Sequence, residues 1–579
     1  MRVRIKDNNS KRKARGQYFT PKTLVEALLS HITYYFPNDY QKKPITVLDP
    51  AIGKGIFFQI LIPLITSLVY SMKMYGLDID SSLVKITNDK LNKLNQRFPL
   101  DFELKLGDFL LDYPSDLPRT FDVIIGNPPH NALYSQFEWT QIRKNCHFGW
   151  NRQIYSESSI FFTLKSLALL KVGGILCFLL PKPIIYSKRW VEFRKILLTD
   201  YKLVEVLDLG NQFSGQLQEQ CAIIVKKENL DGQHYKYKTG IWNPIDKDFG
   251  QISLISNFDA LMVKNLLVGV SASELEIIRR IYCKDHEFLN VLAFRGLSSK
   301  YRSKDGNIPL VEKSTISSGF LFPRRNFLHK KTPKQKLKRL KIPKIIAQRI
   351  ISYHTKPSYS LDLKTWVDRE GEILTNETVI NIIPNYSREK ISLYAVAGLL
   401  ESSFIAWWLR HAVYVKEFVT SKDFDRAYIN SIRIPHISGS KNHVYRKKLK
   451  KLLEENNYEE IMKQINSLPI IEKFYTLGEI YFKYQQTGRE LKTHLDQIMK
   501  KGKFPLFNQR KSDFQNYKRL FHHLSRVSNS PIISGLQNAQ YKKIMINYEV
   551  LKQLKVYINE TVYSIYKITP NEEKIIKTL

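Results

Sequence analysis

Apolar residues in the first part of the chain follow two alternating rhythms. Short strand-like runs cover Thr46–Leu48, Lys73–Leu77, Phe102–Leu106 and Phe121–Ile125. Between them, Ile56–Tyr70 and Ser82–Arg97 repeat apolar side chains at helical spacing. The alternation continues with a helix over Ser159–Leu170, a Gly173-Gly174 break, a strand over Ile175–Leu180, a helix over Trp190–Thr199 and last strands at Val204–Leu207 and Ala222–Val225. Such alternation predicts an α/β domain, a doubly wound, mostly parallel sheet with helices on both faces. Ahead of it, Thr20-Pro21 opens an amphipathic helix to about Tyr35, with Thr20 at the N-cap and Pro21 in the first turn. Met1–Gln17 reads as a basic, flexible arm.

The rhythm changes after about Asn243. Strands become short and irregular, and Arg324–Lys344 gathers basic residues and prolines. One helix is expected over Ser392–His411, and from about Lys441 the pattern is helical to the end. The expected domains are an α/β domain over 18–245, a mixed α+β domain over 246–440 and a helical region over 441–579.

Composition narrows the class. Of 579 residues, 43% are hydrophobic and 12% aromatic, enough for several packed cores. The net charge is +36. Such an excess favours a polyanion nearby and releases its counterions, which points to nucleic acid, although a ribosome or an anionic membrane attracts the same charge. Four widely spaced cysteines argue against a disulfide framework or a zinc site. Cys177 and Cys221 sit in apolar runs and read as small buried hydrophobes. The polar, basic start is unlike a secretory signal, and Ile56–Tyr70 falls short of the roughly 20 residues that span a bilayer. A soluble cytoplasmic protein is expected, with no membrane partner.

Two constellations carry chemistry. The first is Val47-Leu48-Asp49-Pro50-Ala51-Ile52-Gly53-Lys54-Gly55, between a strand and a helix. Its glycines admit a close ligand, and Asp78, ending the next strand, can accept from both hydroxyls of a ribose. The plainer reading is a strand-turn-helix with incidental glycines; the acid at the second strand end favours a nucleoside. The loop lacks the dinucleotide glycine pattern and the phosphate-loop Gly-Lys-Ser/Thr. The second constellation, more specific, is Asn127-Pro128-Pro129-His130, directly after Phe121–Gly126. Two prolines stiffen the turn, and the Asn127 side-chain oxygen and the Pro128 carbonyl can accept both hydrogens of one amino group. That grip steers the nitrogen lone pair toward an electrophile by positioning and dipoles. The plainer reading is a proline-rich turn.

With these residues in place, the chain resembles the gamma class of amino-directed DNA methyltransferases, the Asn-Pro-Pro-aromatic family of N6-adenine enzymes. The resemblance covers about residues 16–227 and runs in the family's order, from Gly16-Gln17-Tyr18-Phe19-Thr20-Pro21 through the glycine loop, Asp78 and Gly107-Asp108-Phe109 to Asn127–His130. It implies a class I S-adenosylmethionine-dependent methyltransferase fold, with a target-recognition domain after it. It implies that Thr20 helps hold the methionine carboxylate, and that Asp49, Pro50, Ala51, Gly53, Gly55 and Asn127 line the donor site. Asp78 matches the ribose ligand, Asp108 the contact to the donor adenine, and Phe109 lies beside that ring. Phe162 and Phe213 fall near the family's aromatic walls, Phe213 the better match. The implied substrate is an adenine flipped from double-stranded DNA. A separate cognate restriction endonuclease, or a phage-defence complex, is the implied setting.

One departure matters. The family places Tyr or Phe after the prolines, and here stands His130. A neutral imidazole can stack on a flipped base, while a protonated one would repel a nitrogen gaining positive charge, so His130 is expected to be neutral. In the basic region from Phe294 to Tyr359, Arg295, Arg324, Arg325 and Lys344 are candidate DNA contacts, weighed against the ordinary solvated face. Trp407-Trp408 read as core. The chemistry requires no metal, and no ligand cluster suggests one. The rivals are methylation of an RNA base or a protein glutamine, a fused nuclease-methyltransferase, for which no Asp/Glu-X-Lys constellation stands out, and a non-catalytic DNA-binding protein with a degenerate fold.

Overall fold

The computed structural model describes residues 20–145, 157–212, 219–283, 286–317, 320–321, 326–349, 361, 363–385, 391–414, 424, 426–437, 439–500 and 539–577. The expectations for Met1–Gln17, Phe213, Arg324 and Arg325 lie outside them. The chain forms two compact units, Met1–Ala272 with Tyr414–Thr420, and Ser273–Val413 with Ser421–Leu579.

In the first unit, α1 (Lys22–Thr33) precedes β1 (Pro44–Asp49), α2 (Ile56–Ile65), β2 (Ser71–Asp78), α3 (Ser81–Asn95), β3 (Asp101–Leu106) and β4 (Phe121–Gly126). Then come α4 (Gln136–Asn145), α5 (Ser158–Leu169), β5 (Leu170–Pro181), α6 (Val191–Thr199), β6 (Lys202–Gly210), β7 (Gln220–Lys226), β8 (Lys236–Asn243), β9 (Asp248–Ser256) and α7 (Asn257–Val263). The strands make one sheet in the order β3-β2-β1-β4-β5-β7-β6-β8-β9. β1 to β5 pair in parallel, and β7 runs antiparallel to β5 and β6. This is the doubly wound, mostly parallel sheet of the class I methyltransferase fold. The central strand β4 is buried along its whole length, as a parallel strand covered on both faces must be. Against the sheet, α1 buries Leu24, Val25, Leu28, Leu29 and Ile32, each contributing about 1.5–3 kcal/mol on full burial.

The elements differ from the sequence reading in identifiable ways. Helix α2 stops at Ile65 rather than Tyr70, two residues past Pro63, which cannot donate its backbone hydrogen bond. The sheet continues through β8 and β9 across the boundary set at 245, because β8 adds in parallel to β6 and β9 folds back on it. Both cysteines, Cys177 and Cys221, are buried and free.

In the second unit, β10 (Val291–Arg295), α9 (Lys334–Leu340), β11 (Lys344–Gln348), β12 (Thr365–Asp368) and β13 (Val379–Pro384) follow α8 (Ala272–Cys283). The strands form an antiparallel sheet ordered β10-β13-β11-β12. The helix expected over Ser392–His411 is broken into α10 (Leu393–Glu401) and α11 (Ser403–Trp408). Ser402 is extended there and caps the second piece, its Oγ accepting from the Ile405 N–H. Trp407 and Trp408 are core residues.

Helices α12 (His443–Glu454), α13 (Tyr458–Ile465), α14 (Ile470–Lys500), α15 (Ala539–Tyr566) and α16 (Pro570–Lys577) complete this unit. They are not a separate region: α14 covers the open edge of the sheet. Edge strand β12 carries backbone groups that would otherwise be buried without partners. The Gln485 side chain accepts from Val367 N at 2.9 Å and donates to Val367 O at 2.9 Å. Tyr481 donates to the Thr365 carbonyl at 3.2 Å, and Glu401 accepts from the Thr365 N–H at 2.8 Å. Removing one such partner costs about 1–3 kcal/mol per orphaned group. Gln485→Leu is therefore expected to destabilise the second unit by roughly 2–4 kcal/mol, read as a lowered urea midpoint of that unit, while a substitution at exposed Lys447 leaves it unchanged.

Candidate active site

Three neighbouring strands end at one edge of the sheet, and each delivers a polar side chain there: Asp78 from β2, Asp49 from β1 and Asn127 just after β4. The chain winds one way from β1 to β3 and the other way through β4 and β5. The crevice at that switch point is where open α/β sheets take ligands.

Asp49 is 1% exposed. Its Oδ1 accepts from the Ala51 N–H at 3.1 Å, and its Oδ2 is buried without a hydrogen-bond partner. Burial pushes its pKa up to about 8, against the pull of the Ala51 N–H. Gly126 passes directly over it with φ +152°, and a Cβ there would stand 2.7 Å from Oδ1. Glycine alone permits both that conformation and that approach. Pro50 is buried and Ala51 half-buried. Asp78 ties β2 to the glycine loop, its Oδ2 accepting from Gly53 N and its Oδ1 from Asp80 N, both at 2.9 Å. Gly55 caps α2 at φ +70°, where a Cβ would meet Thr87 Cγ2 at 2.5 Å. Asp108 is half-buried and its Oδ1 accepts from the Leu110 N–H at 2.9 Å. Phe109 is buried, its ring 5.1 Å from that of Phe162 at 33°.

The Asn127 amide has one end tied and one end free. Its Nδ2 donates to Thr20 Oγ1 at 3.2 Å, and its Oδ1 is buried without a partner. Thr20 is therefore not the helix cap expected from sequence. Pro21 holds the N-cap position without a side-chain bond, and the Thr20 hydroxyl turns to Asn127. Pro128 is buried and Pro129 half-buried. Behind the prolines, Ser158 donates to the Pro129 carbonyl and accepts from Ala132 N at 3.1 Å. Glu157 Oε1 accepts from the N–H of Asn131, a left-handed residue at φ +52°, at 3.1 Å. His130 is 3% exposed, with Nε2 3.1 Å from Gln220 Oε1. Burial pushes its pKa down to about 4, so the ring is neutral at neutral pH.

Sequence reasoning missed Ser158, Glu157 and Gln220. The run Glu157-Ser158-Ser159 ahead of apolar Ile160 is an N-cap pattern that could have flagged the first two, and Glu157 does cap α5. Gln220 leaves no such signal, being a lone amide at the start of an apolar strand.

The basic candidates divide. Arg295 is exposed on β10 and lines a cavity of about 500 Å³ with Phe294, Ile380, Arg426 and Asn430. On α9, Lys334, Lys336, Lys338 and Arg339 are exposed. The Arg339 guanidinium lies 4.3 Å from the Phe294 ring centroid. Lys344 must be corrected. It is fully buried, and its ammonium pairs with Asp368 at 2.6 Å and donates to the Leu340 carbonyl at 2.6 Å. A cation so enclosed holds β11 to β12 and reaches no phosphate. Among the described residues, no group of three or more His, Cys, Asp or Glu is placed to hold a metal ion, and no helix is long and apolar enough to cross a membrane.

The strand order and the three strand-end side chains define a catalytic-type domain of the class I methyltransferase fold. Residues 5–246 match the model of the family described as N-6 DNA Methylase. The chain is 26% identical over 219 residues to type II methyltransferase M.VspI of Vibrio sp. (strain 343), covering 38% of this chain and 50% of that one. It is 28% identical over 243 residues to modification methylase CviBIII of Paramecium bursaria Chlorella virus NC1A, covering 41% and 55%. The chain thus matches about half the length of these curated relatives. Among solved structures, the type IIG restriction endonuclease BpuSI is similar over 96% of this chain and 68% of its own, at 11% identity and a TM-score of 0.40.

Two outcomes follow from the burial. The Asp49 pKa is raised in the folded state, so the folded chain keeps a proton that the unfolded chain releases. Stability falls as pH rises from about 4, the unfolded value, to about 8. Asp49→Asn is expected to flatten that slope and raise the midpoint of ligand-free protein at pH 8 by on the order of 2–4 °C, measured by thermal unfolding across pH. Lys344→Ala strands Asp368 and is expected to cost roughly 3–5 kcal/mol, read as a lowered urea midpoint.

Proposed function

We propose that this chain is a site-specific DNA methyltransferase that uses S-adenosylmethionine to methylate the exocyclic amino group of a flipped adenine. Its setting is the modification side of a restriction-modification or phage-defence system. One observation carries the reading. Asn127 offers a buried oxygen with no partner at the end of β4, while its nitrogen is held by Thr20. A buried acceptor left open costs free energy unless a ligand's donor completes it. The family match and the net charge of +36 support the nucleic-acid reading.

The residues fit the donor. Asp49 keeps an open buried oxygen, Gly126 leaves a cradle that a Cβ would fill, and Asp78, tied to Gly53 N of the glycine loop, would face a ribose there. When bound, S-adenosylmethionine supplies an electrophilic methyl group. Asp78 accepts from the ribose hydroxyls, Asp108 takes the adenine edge, and Phe109 walls the ring. On the substrate side, Asn127 Oδ1 and the Pro128 carbonyl accept the two amino hydrogens. This weakens conjugation with the ring and turns the nitrogen lone pair out of its plane. His130, neutral, stacks on the base. Arg295 and the exposed cations of α9 hold DNA phosphates or base edges.

The test is transfer of labelled methyl to duplex DNA, RNA and protein, side by side. Label is expected on adenine of duplex DNA, and Asn127→Ala is expected to reduce it by roughly 10²–10³-fold with donor affinity kept. Label on RNA or on a glutamine amide would replace the substrate, and full activity of the variant would end the assignment.

A further inference from the structure

His130 stands where an aromatic residue is expected, and an imidazole brings two difficulties that a phenyl ring does not. It can take a proton, and it has two tautomers that present different edges to a base. Burial meets the first, and a residue from a distant strand meets the second. Gln220 is fully buried and opens β7, where its backbone pairs with Pro181 of β5 and Gly210 of β6. Its position is thus set from both sides. One residue earlier, the Glu219 carbonyl accepts from Lys182 N at 2.9 Å. The Lys182 ammonium lies 2.5 Å from Asp208 Oδ2 and 3.7 Å from Glu219 Oε1, and all three side chains are at most 2% exposed. This cluster staples the ends of β5, β6 and β7, the frame from which Gln220 reaches His130.

An amide oxygen only accepts. With the Gln220 amide turned so that Oε1 lies 3.1 Å from His130 Nε2, the matching tautomer is the one with its hydrogen on that nitrogen. Nδ1 then bears a lone pair, and it is buried without a partner. Among the described residues, Glu157 accepts from Asn131 N in this loop, and Lys182 pairs with Asp208 and Glu219 at the strand ends.

We propose that Gln220 is a positioning residue that fixes His130 as the Nε2–H tautomer at the stacking position for the target base, with the place of Gln220 itself set by the strand ends that the Lys182–Asp208–Glu219 cluster joins. The proposal rests on the methyltransferase reading of the Asn127–His130 loop. In this arrangement the ring beside the base is held in one plane, Nδ1 keeps a bare lone pair inside the protein, and the neutral ring puts no positive charge beside the nitrogen that is gaining one. The amide replaces the steric certainty of a phenyl ring with a hydrogen bond.

Two measurements test it, one independent of activity. Nitrogen-15 NMR of histidine-labelled full-length protein, with His130→Phe identifying the signal, is expected to report the Nε2–H tautomer, and Gln220→Leu to shift it toward a mixture. An Nδ1–H tautomer in the unaltered protein would overturn the proposal whether or not the chain methylates anything. In steady-state methylation, Gln220→Leu is expected to lower kcat roughly tenfold, about the worth of one buried hydrogen bond, with the donor KM unchanged. In a His130→Phe background the same change is expected to cost less than about twofold, since no tautomer remains to be set. Equal losses in both backgrounds would make Gln220 a packing residue and sink the idea. Gln220→Glu keeps the acceptor and favours the protonated ring, so the acid limb of its pH profile is expected to move to higher pH, and an unmoved limb counts against the proposal. Absence of methyl transfer by the unaltered protein to any substrate would remove the methyltransferase reading and leave the tautomer result to judge the pair.

Discussion

A carboxylate with one oxygen unsatisfied inside a packed sheet is unfavourable, and the candidate site is built around one. Asp49 ends β1 at the switch point, where burial drives it toward its neutral form, and Gly126 closes over it where no other residue fits. Each neighbouring feature is placed relative to that contact. Gly126 sets where β4 ends and hence where Asn127 begins, and the turn of the loop after Asp49 brings Gly53 N to Asp78. Asp49 and Asn127, at the ends of neighbouring strands, thus each keep a buried oxygen without a hydrogen-bond partner.

The loop after β4 gains its rigidity from both directions. The prolines restrict its backbone, but its depth is fixed from behind by Ser158 and Glu157 at the start of α5, and its last ring by Gln220 from β7. Those three residues lie from about 30 to 90 positions along the chain from the prolines they serve. Preorganisation of this kind is a property of the closed sheet, since each anchor is a strand or helix end that other strands hold in place.

In the second unit, charge and burial separate roles that composition leaves mixed. Lys344 and the exposed lysines of α9 belong to one basic stretch, yet Lys344 pairs with Asp368 inside the sheet while Lys334, Lys336 and Lys338 face outward. A run of cations does not say which member points inward; the burial of β11 along its whole length and the position of Asp368 on its partner strand decide that. The same holds for the C-terminal helices. Their amphipathic pattern announces a buried face, and the edge of β12, with backbone groups in need of partners, is what that face covers.

Sequence alone determined the strand-helix alternation of the described residues between Pro44 and Lys226, and the local pattern of the glycine loop, the strand-end acids and the Asn127–His130 turn. Each of these is a local pattern, in which period, turn chemistry and spacing act within a few residues. It also implied that His130 must avoid a proton, because a ring at that position is judged by its own chemistry. Only the tertiary structure decided the two strands added beyond residue 245, the release of Thr20 from capping to hold Asn127, the withdrawal of Lys344 from any surface, and the partnership of Gln220 with His130. The physical reason is the same in each case. Hydrogen bonds and burial between residues far apart in the chain depend on strand order and register, and those are set by the packing of the whole sheet.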